Sequence, residues 1–290
     1  GWICNTDYYR NSSLTGCLKV PANASSSYNS NYWKCNSGYS KTGNSCTQSP
    51  ADDKLYKVGS GSGFAVTADG YIVTNHHVIN GCTQVSIYDK GKSFIATVVT
   101  KDPVNDLAVL KSDFRPSAFY PLSTEINISS DIFAAGYPFG MKISSSVKVT
   151  KGIISTDMGL GDDISRFQID ADLNPGNSGG PIVDKRGNVV GVAVARWNAD
   201  EAIKELGEVP EGMYYAIKSM MVKAILQSAN IKFSNPNKTI LSEKDMGLLF
   251  KNGTFYLSCS MSLAQYQKME KTNKVMFTKE VIFNNLKWKN

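Results

Sequence analysis

The sequence has no apolar run near the roughly eighteen residues a membrane-crossing helix needs. Histidine is scarce: two among 290 residues, side by side at His76 and His77. Four of the six cysteines (Cys4, Cys17, Cys35 and Cys46) fall in the first fifty residues, at spacings that match no zinc signature and with no histidine nearby. The glycine-rich stretch Gly59-Ser60-Gly61-Ser62-Gly63 lacks the Gly-Lys-Ser/Thr ending of a phosphate loop and reads as the entry to a strand. No nucleic-acid-binding motif accompanies the basic charge, so nucleic acid is not expected as a partner. No charged-then-apolar leader opens the chain, which reads as a mature, soluble protein whose export signal, if any, has been removed. No metal or cofactor is expected.

What is present suits a globular protein with one sizeable core and small appendages, with 42% hydrophobic and 19% charged residues. The net charge of +6 divides unevenly: +3 over residues 1–50, −3 over 51–230 and +6 over 231–290, where ten lysines face four acids. A basic tail could meet an acidic partner or an anionic surface, and it could equally be a solvated lysine-rich face. The first fifty residues carry few aliphatic side chains, and a segment that cannot build a core depends on disulfides. That places the protein in an oxidising setting: secreted, periplasmic or at a cell surface. The segment also repeats. Trp2-Ile3-Cys4-Asn5 returns as Trp33-Lys34-Cys35-Asn36 after 31 residues, and each copy runs through Tyr8 or Tyr39 to Cys17 or Cys46. Local bonds Cys4–Cys17 and Cys35–Cys46 are the preferred pairing of the three that four cysteines allow. Such a module could hold a binding partner, and its sequence names none.

From about residue 52 the texture changes to short β-branched and aromatic runs broken by glycine: Gly63-Phe64-Ala65-Val66, Tyr71-Ile72-Val73-Thr74, Gln84 to Tyr88 and Asn188 to Val194. Asp69-Gly70 and Arg186-Gly187-Asn188 suit hairpin turns, since glycine and asparagine tolerate positive φ. The expectation is an all-β fold closed by a helix over Lys218–Ala229. Beyond residue 230, Lys251-Asn252-Gly253 between two apolar runs predicts a hairpin. A short helix over Ser262–Lys271 and strands at Val275–Phe277 and Val281–Phe283 complete a small basic α+β extension.

Three segments carry chemistry: Thr74-Asn75-His76-His77-Val78, Asn105-Asp106-Leu107-Ala108-Val109-Leu110-Lys111 and Asp172-Leu173-Asn174-Pro175-Gly176-Asn177-Ser178-Gly179-Gly180-Pro181. A serine hydroxyl attacks an amide only when a histidine takes its proton, and that histidine needs a carboxylate to fix its tautomer. The oxyanion that forms needs preorganised N–H donors, and a glycine two residues before the serine exposes its amide without a blocking side chain. Read as strand neighbours, His76 and His77 point to opposite faces and are poorly placed to share a metal ion.

These motifs resemble the HtrA/Deg family of chymotrypsin-like proteases. Its patterns Gly-Ser-Gly-Phe, Asp-Gly-x-Ile-Val-Thr-Asn-x-His-Val, Asp-Leu-Ala-Val-Leu-Lys and Asn-Pro-Gly-Asn-Ser-Gly-Gly-Pro begin here at Gly61, Asp69, Asp106 and Asn174, in that order. Lys151 to Ser155 and Tyr215 to Ile217 also resemble strands of the family's second barrel. The resemblance covers about residues 55–228. It implies two β-barrels, near 52–125 and 126–217, with His77 as base, Asp106 as its carboxylate and Ser178 as nucleophile. Amides of Gly176, Asn177 and Ser178 would form the oxyanion hole, and protein or peptide would be the substrate.

The implied organisation is a cysteine-rich module (1–50), a protease domain (51–230) and a basic extension (231–290). The extension lacks the length and the Gly-Leu-Gly-type loop of the peptide-binding PDZ domains usual in the family, and a trimer is implied by resemblance alone. In the wider fold, a carboxylate six residues before the nucleophile selects basic side chains, and Asp172 stands there. The alternative is that Asp172 turns aside into a salt bridge while Val192, Val194 and their neighbours line an apolar pocket. Cys82 and Cys259 remain, and free thiols are uncommon in an oxidising compartment, which favours a bond between them. The rival to an enzyme is a binding protein on a silent protease fold.

Overall fold

The computed structural model describes residues 4–5, 7–10, 13, 15–26, 32–36, 39–48, 54–140, 145–195 and 213–271. The expected strands at Val275–Phe277 and Val281–Phe283 lie outside these. Two compact units emerge.

The first contains three hairpins: β1 (Tyr8–Arg10) with β2 (Cys17–Lys19), β3 (Ala24–Ser26) with β4 (Trp33–Cys35), and β5 (Tyr39–Thr42) with β6 (Ser45–Gln48). Disulfides join Cys4 to Cys17 and Cys35 to Cys46. Each copy of the sequence repeat thus yields one hairpin tied by one disulfide. Trp33 is buried, with Tyr9 edge-on at 6.2 Å and the Lys41 ammonium 4.3 Å from its ring centroid. One large aromatic ring and two covalent ties do here what an aliphatic core does in a larger domain.

The second unit holds two closed six-stranded barrels. Consecutive strands β7 (Leu55–Ala65), β8 (Tyr71–Thr74), β9 (Gln84–Asp89), β10 (Lys92–Asp102) and β11 (Leu107–Lys111) supply most of barrel one. A single helical turn, α1 (His76–Ile79), follows β8. Barrel two comprises β12 (Asp131–Gly136), β13 (Lys148–Thr156), β14 (Arg166–Ile169), β15 (Pro181–Val183), β16 (Val189–Val194) and β17 (Tyr214–Lys218). Helix α2 (Ser219–Ser228) follows it.

The continuous apolar runs in the sequence have a physical reason: both faces of these strands are buried. On β11, Ala108 and Leu110 fill barrel one, while Leu107 and Val109 enter a core shared by both barrels and α2. On β16, Val190 and Ala193 fill barrel two, while Val192 joins the shared core against Val222 and Leu226. Side chains on β11 alternate with period two, a register shift between Val189 and Gly191 moves the alternation on β16 by one residue, and neither face of these runs is open to water.

The tail differs from expectation. Residues 248–253 are not a hairpin arm but the end of helix α3 (Glu243–Gly253), whose Ser242 side chain caps the Asp245 amide at 3.1 Å. Met246 and Phe250 bury one turn apart in the shared core, with Leu249 packed beside them. The next strand, β18 (Thr254–Ser262), belongs to no separate extension: it closes barrel one between β7 and β9. It pairs antiparallel with β9, Cys259 opposite Val85, and buries Phe255 and Leu257 in the barrel. A disulfide joins Cys82, just before β9, to Cys259. An unpaired edge between β7 and β9 would leave a row of backbone groups unsatisfied, and β18 removes it. Helix α4 (Leu263–Lys271) follows and groups with the hairpin unit.

Candidate active site

Asp106 ends the turn before β11 with φ of 54°, a left-handed conformation that aspartate tolerates better than most residues. The turn brings it against the segment that follows β8. Its backbone carbonyl accepts the His76 N–H at 3.1 Å and the Asn75 side-chain amide at 3.0 Å. Its Oδ1 accepts the His77 backbone N–H at 2.8 Å, and its Oδ2 lies 2.7 Å from His77 Nδ1. With one carboxylate oxygen held by the backbone, the other faces the imidazole. A carboxylate only accepts, so Nδ1 carries the proton in the neutral ring and Nε2 keeps its lone pair. The His77 and Asp106 side chains are only 16% and 18% exposed, enough shielding to strengthen this pairing over that of a surface ion pair.

His76 and His77 sit on the helical turn α1, not on a strand as the sequence reading had it. Burial is the main cause that lowers the His76 pKa below its ordinary value, opposed by the negative charge of Asp106. Among the described residues no cluster of three metal-ligating side chains occurs.

Ser178 is 6% exposed, in a loop joining β14 to β15. The loop depends on glycine at Gly176 (φ 104°) and Gly179 (φ 84°). A Cβ on Gly176 would meet the Tyr137 carbonyl at 2.4 Å, and one on Gly179 would meet the Ser62 carbonyl at 2.2 Å and the Thr74 hydroxyl at 2.3 Å. The Ser178 loop therefore abuts the strand end that leads into His77. Ser178 Oγ accepts the Ala195 N–H at 3.2 Å, and no bond from it to His77 occurs among the described residues. The Asn177 amide, expected among the oxyanion donors, is committed to the Asn174 carbonyl at 2.9 Å. The amides of Gly176 and Ser178 make no hydrogen bond to the described residues.

The expected specificity residues scatter. Asp172 is exposed, its carbonyl takes the Thr150 hydroxyl at 3.0 Å, and its carboxylate has no ion pair among the described residues; the salt-bridge alternative is not seen. Val192 is fully buried in the shared core and Val194 packs against that core, because these positions of β16 face α2. Val192 therefore cannot line a pocket open to substrate. A cavity of about 330 Å³ lies on barrel two among Asn127, Asp131, Ile154, Lys185 and Arg186, away from Ser178. Its charges pair with one another, Asp131 with Lys185 at 2.6 Å and Arg186 with Glu125 at 3.2 Å. The sequence reading missed Ser62, which contacts the Ser178 loop directly; its placement between two glycines of the Gly-Ser-Gly-Phe motif was the available signal.

Comparison with known proteins agrees with this architecture. Residues 61–192 match the trypsin-like peptidase domain family. An uncharacterized protein of Sinorhizobium fredii, y4bJ, is 34% identical over 187 residues, covering 64% of this chain and 30% of that protein. A probable periplasmic serine endoprotease, DegP-like, from Chlamydia trachomatis is 35% identical over 170 residues, covering 57% of this chain and 33% of its own length. The chain thus spans about a third of these relatives. Among solved structures, the HtrA-type protease AlgW with tripeptide is 34% identical, with a TM-score of 0.50 over 60% of this chain and 58% of that one. With two six-stranded barrels and a matched segment that reaches into both, the double barrel of this chain is similar to the trypsin-like peptidase domains of HtrA-type proteases.

Proposed function

We propose that this chain is a serine endopeptidase that cleaves protein or peptide substrates through an acyl-enzyme, with Ser178 as nucleophile, His77 as base and then acid, and Asp106 as the group that orients His77. The observation that carries the reading is the two-oxygen grip of Asp106 on His77, 2.8 Å to its backbone and 2.7 Å to Nδ1, which leaves Nε2 as the free proton acceptor.

In the first step Ser178 Oγ leaves the Ala195 amide, turns to His77 Nε2 and attacks the scissile carbonyl as its proton passes to the imidazole. The Gly176 and Ser178 amides, both free of partners among the described residues, receive the oxyanion. His77 then protonates the leaving amine, and water repeats the sequence in reverse roles to release the acyl group. The bond to Ala195 describes a resting serine, and hydrogen bonds of this kind tighten only when substrate arrives.

Three disulfides support a setting outside the reducing cytosol, secreted or periplasmic. A homo-oligomer and a ligand for the hairpin unit remain expectations of resemblance and of the repeat. The test is cleavage of an unfolded, fluorescently labelled casein by wild type beside Ser178→Ala. Activity lost in the variant supports the reading, and equal cleavage by both would refute it.

A further inference from the structure

We infer that Ser62 is a positioning residue for the peptidase reaction, holding the Ser178 loop so that its free amides face the cleft; this rests on the triad reading above. Ser62 lies on β7 with no exposure to solvent. Its hydroxyl donates to the Gly176 carbonyl at 2.7 Å and accepts the Tyr137 N–H at 2.9 Å. Its own N–H donates to the Ser178 carbonyl at 2.8 Å, and its carbonyl accepts the Thr74 hydroxyl at 2.7 Å. One buried residue thus ties together the nucleophile loop, the end of β12 in barrel two, and the end of β8 three residues before His77.

The consequence follows from the planarity of the peptide group, whose N–H and C=O point in opposite directions. All four carbonyls from Pro175 to Ser178 are anchored: Pro175 to the Phe139 N–H at 2.7 Å, Gly176 to the Ser62 hydroxyl, Asn177 to the Gly180 N–H at 2.9 Å, and Ser178 to the Ser62 N–H. By planarity the Pro175 and Asn177 anchors set the directions of the Gly176 and Ser178 amides, which have no partner among the described residues, while the two Ser62 anchors fix the alternating peptides, Gly176–Asn177 between those amides and Ser178–Gly179 after them. Ser62 supplies two of the four anchors, and among the described residues only its side chain holds the Gly176 carbonyl. An alanine there would strand the part-buried Gly176 carbonyl and the buried Tyr137 amide together, and the Gly176–Asn177 peptide, next to a glycine with φ of 104°, would keep only the bond from its Asn177 N–H to the Asn174 carbonyl among the described residues.

The experiment compares wild type, Ser62→Ala and Ser62→Cys by the rate at which a fluorophosphonate labels Ser178 and by kcat and KM on labelled casein. Circular dichroism and a thermal scan verify the fold. Misplacement of a reacting group by about 1 Å costs about 100-fold in rate. The expected result is therefore a parallel fall of about 10- to 100-fold in labelling rate and kcat for Ser62→Ala. KM should stay within about two-fold and the pH of half-maximal activity should not move. Ser62→Cys, nearly isosteric with a weaker donor, is expected between the two, and it carries the test if the alanine variant does not fold. Folded variants labelled at the wild-type rate would overturn the positioning role alone. Wild type that takes no label at Ser178 would overturn the peptidase reading, and this inference with it.

Discussion

Removing the Cys82–Cys259 bond should loosen barrel one, because the strand it staples is the one that arrives from far along the chain. The bond spans 177 residues, and β18 is held otherwise by its ladders with neighbouring strands and by Phe255 and Leu257 in the barrel interior. In the chain-entropy account a loop of that length corresponds to about 5 kcal/mol, and losses of about 2–4 kcal/mol are typical when a bond is removed. For a domain of 150 to 250 residues, about 1 kcal/mol moves Tm by about 2–4 °C. The pair Cys82→Ser with Cys259→Ala should therefore melt roughly 5–15 °C lower than wild type; alanine is chosen at 259 because the site is fully buried and a hydroxyl there would lack a partner. The assay is a thermal scan by circular dichroism at one protein concentration without reductant, so that the two disulfides of the hairpin unit stay intact. Casein cleavage measured on the same samples below the transition reports whether β18 also supports the site. The strand's Thr254 carbonyl accepts the Tyr137 hydroxyl at 3.3 Å, two residues before the Phe139 amide that anchors Pro175. A variant melting within about 1 °C of wild type would refute the claim that the covalent tie holds this strand in the barrel.

Two further outcomes concern the site's surroundings. Burial lowers the His76 pKa from 6.5, so the unfolded chain binds a proton there that the folded chain does not; stability held at neutral pH is lost as pH falls below about 6.5. His76→Asn should flatten that part of the pH–stability curve and leave the acid limb of activity in place. A limb that vanished with His76 would assign the base to the wrong histidine. The exposed carboxylate of Asp172, with no ion pair among the described residues, should favour Lys or Arg before the cleaved bond in a peptide library, a preference that Asp172→Asn removes. A profile of valine, leucine and alanine unchanged by that substitution would exclude a basic pocket at Asp172.

Much of the site was legible because its chemistry is written in short contiguous motifs. The strands bearing them read clearly too, since Asp69-Gly70 and Arg186-Gly187-Asn188 are turns whose conformation few residues other than glycine and asparagine accept. What was not legible depends on partners distant in sequence. Nothing local in Thr254-Phe255-Tyr256-Leu257 says that it will lie beside Gln84–Asp89; Cys82 and Cys259 were the hint, and only as two thiols left over. Lys251-Asn252-Gly253 looked like a turn, yet it ends a helix that Ser242 and Asp245 begin, and burial of Met246 and Phe250 in the shared core outweighs the local turn preference. Val192 was misread as a pocket wall because two-sided burial of β16 cannot be seen in an apolar run. The same holds for Ser62, whose four hydrogen bonds reach segments between 12 and 116 residues away.

The most direct test of the central claim is to treat the protein with a fluorophosphonate and locate the adduct by peptide mass spectrometry, with wild type beside Asp106→Asn. One adduct on Ser178 of wild type, formed about 10,000 times more slowly when the carboxylate is lost, is the predicted result, since the loss of this group costs about that factor in kcat in a triad of this kind. A folded wild-type protein with no adduct at Ser178, or with equal labelling in both, would contradict the triad.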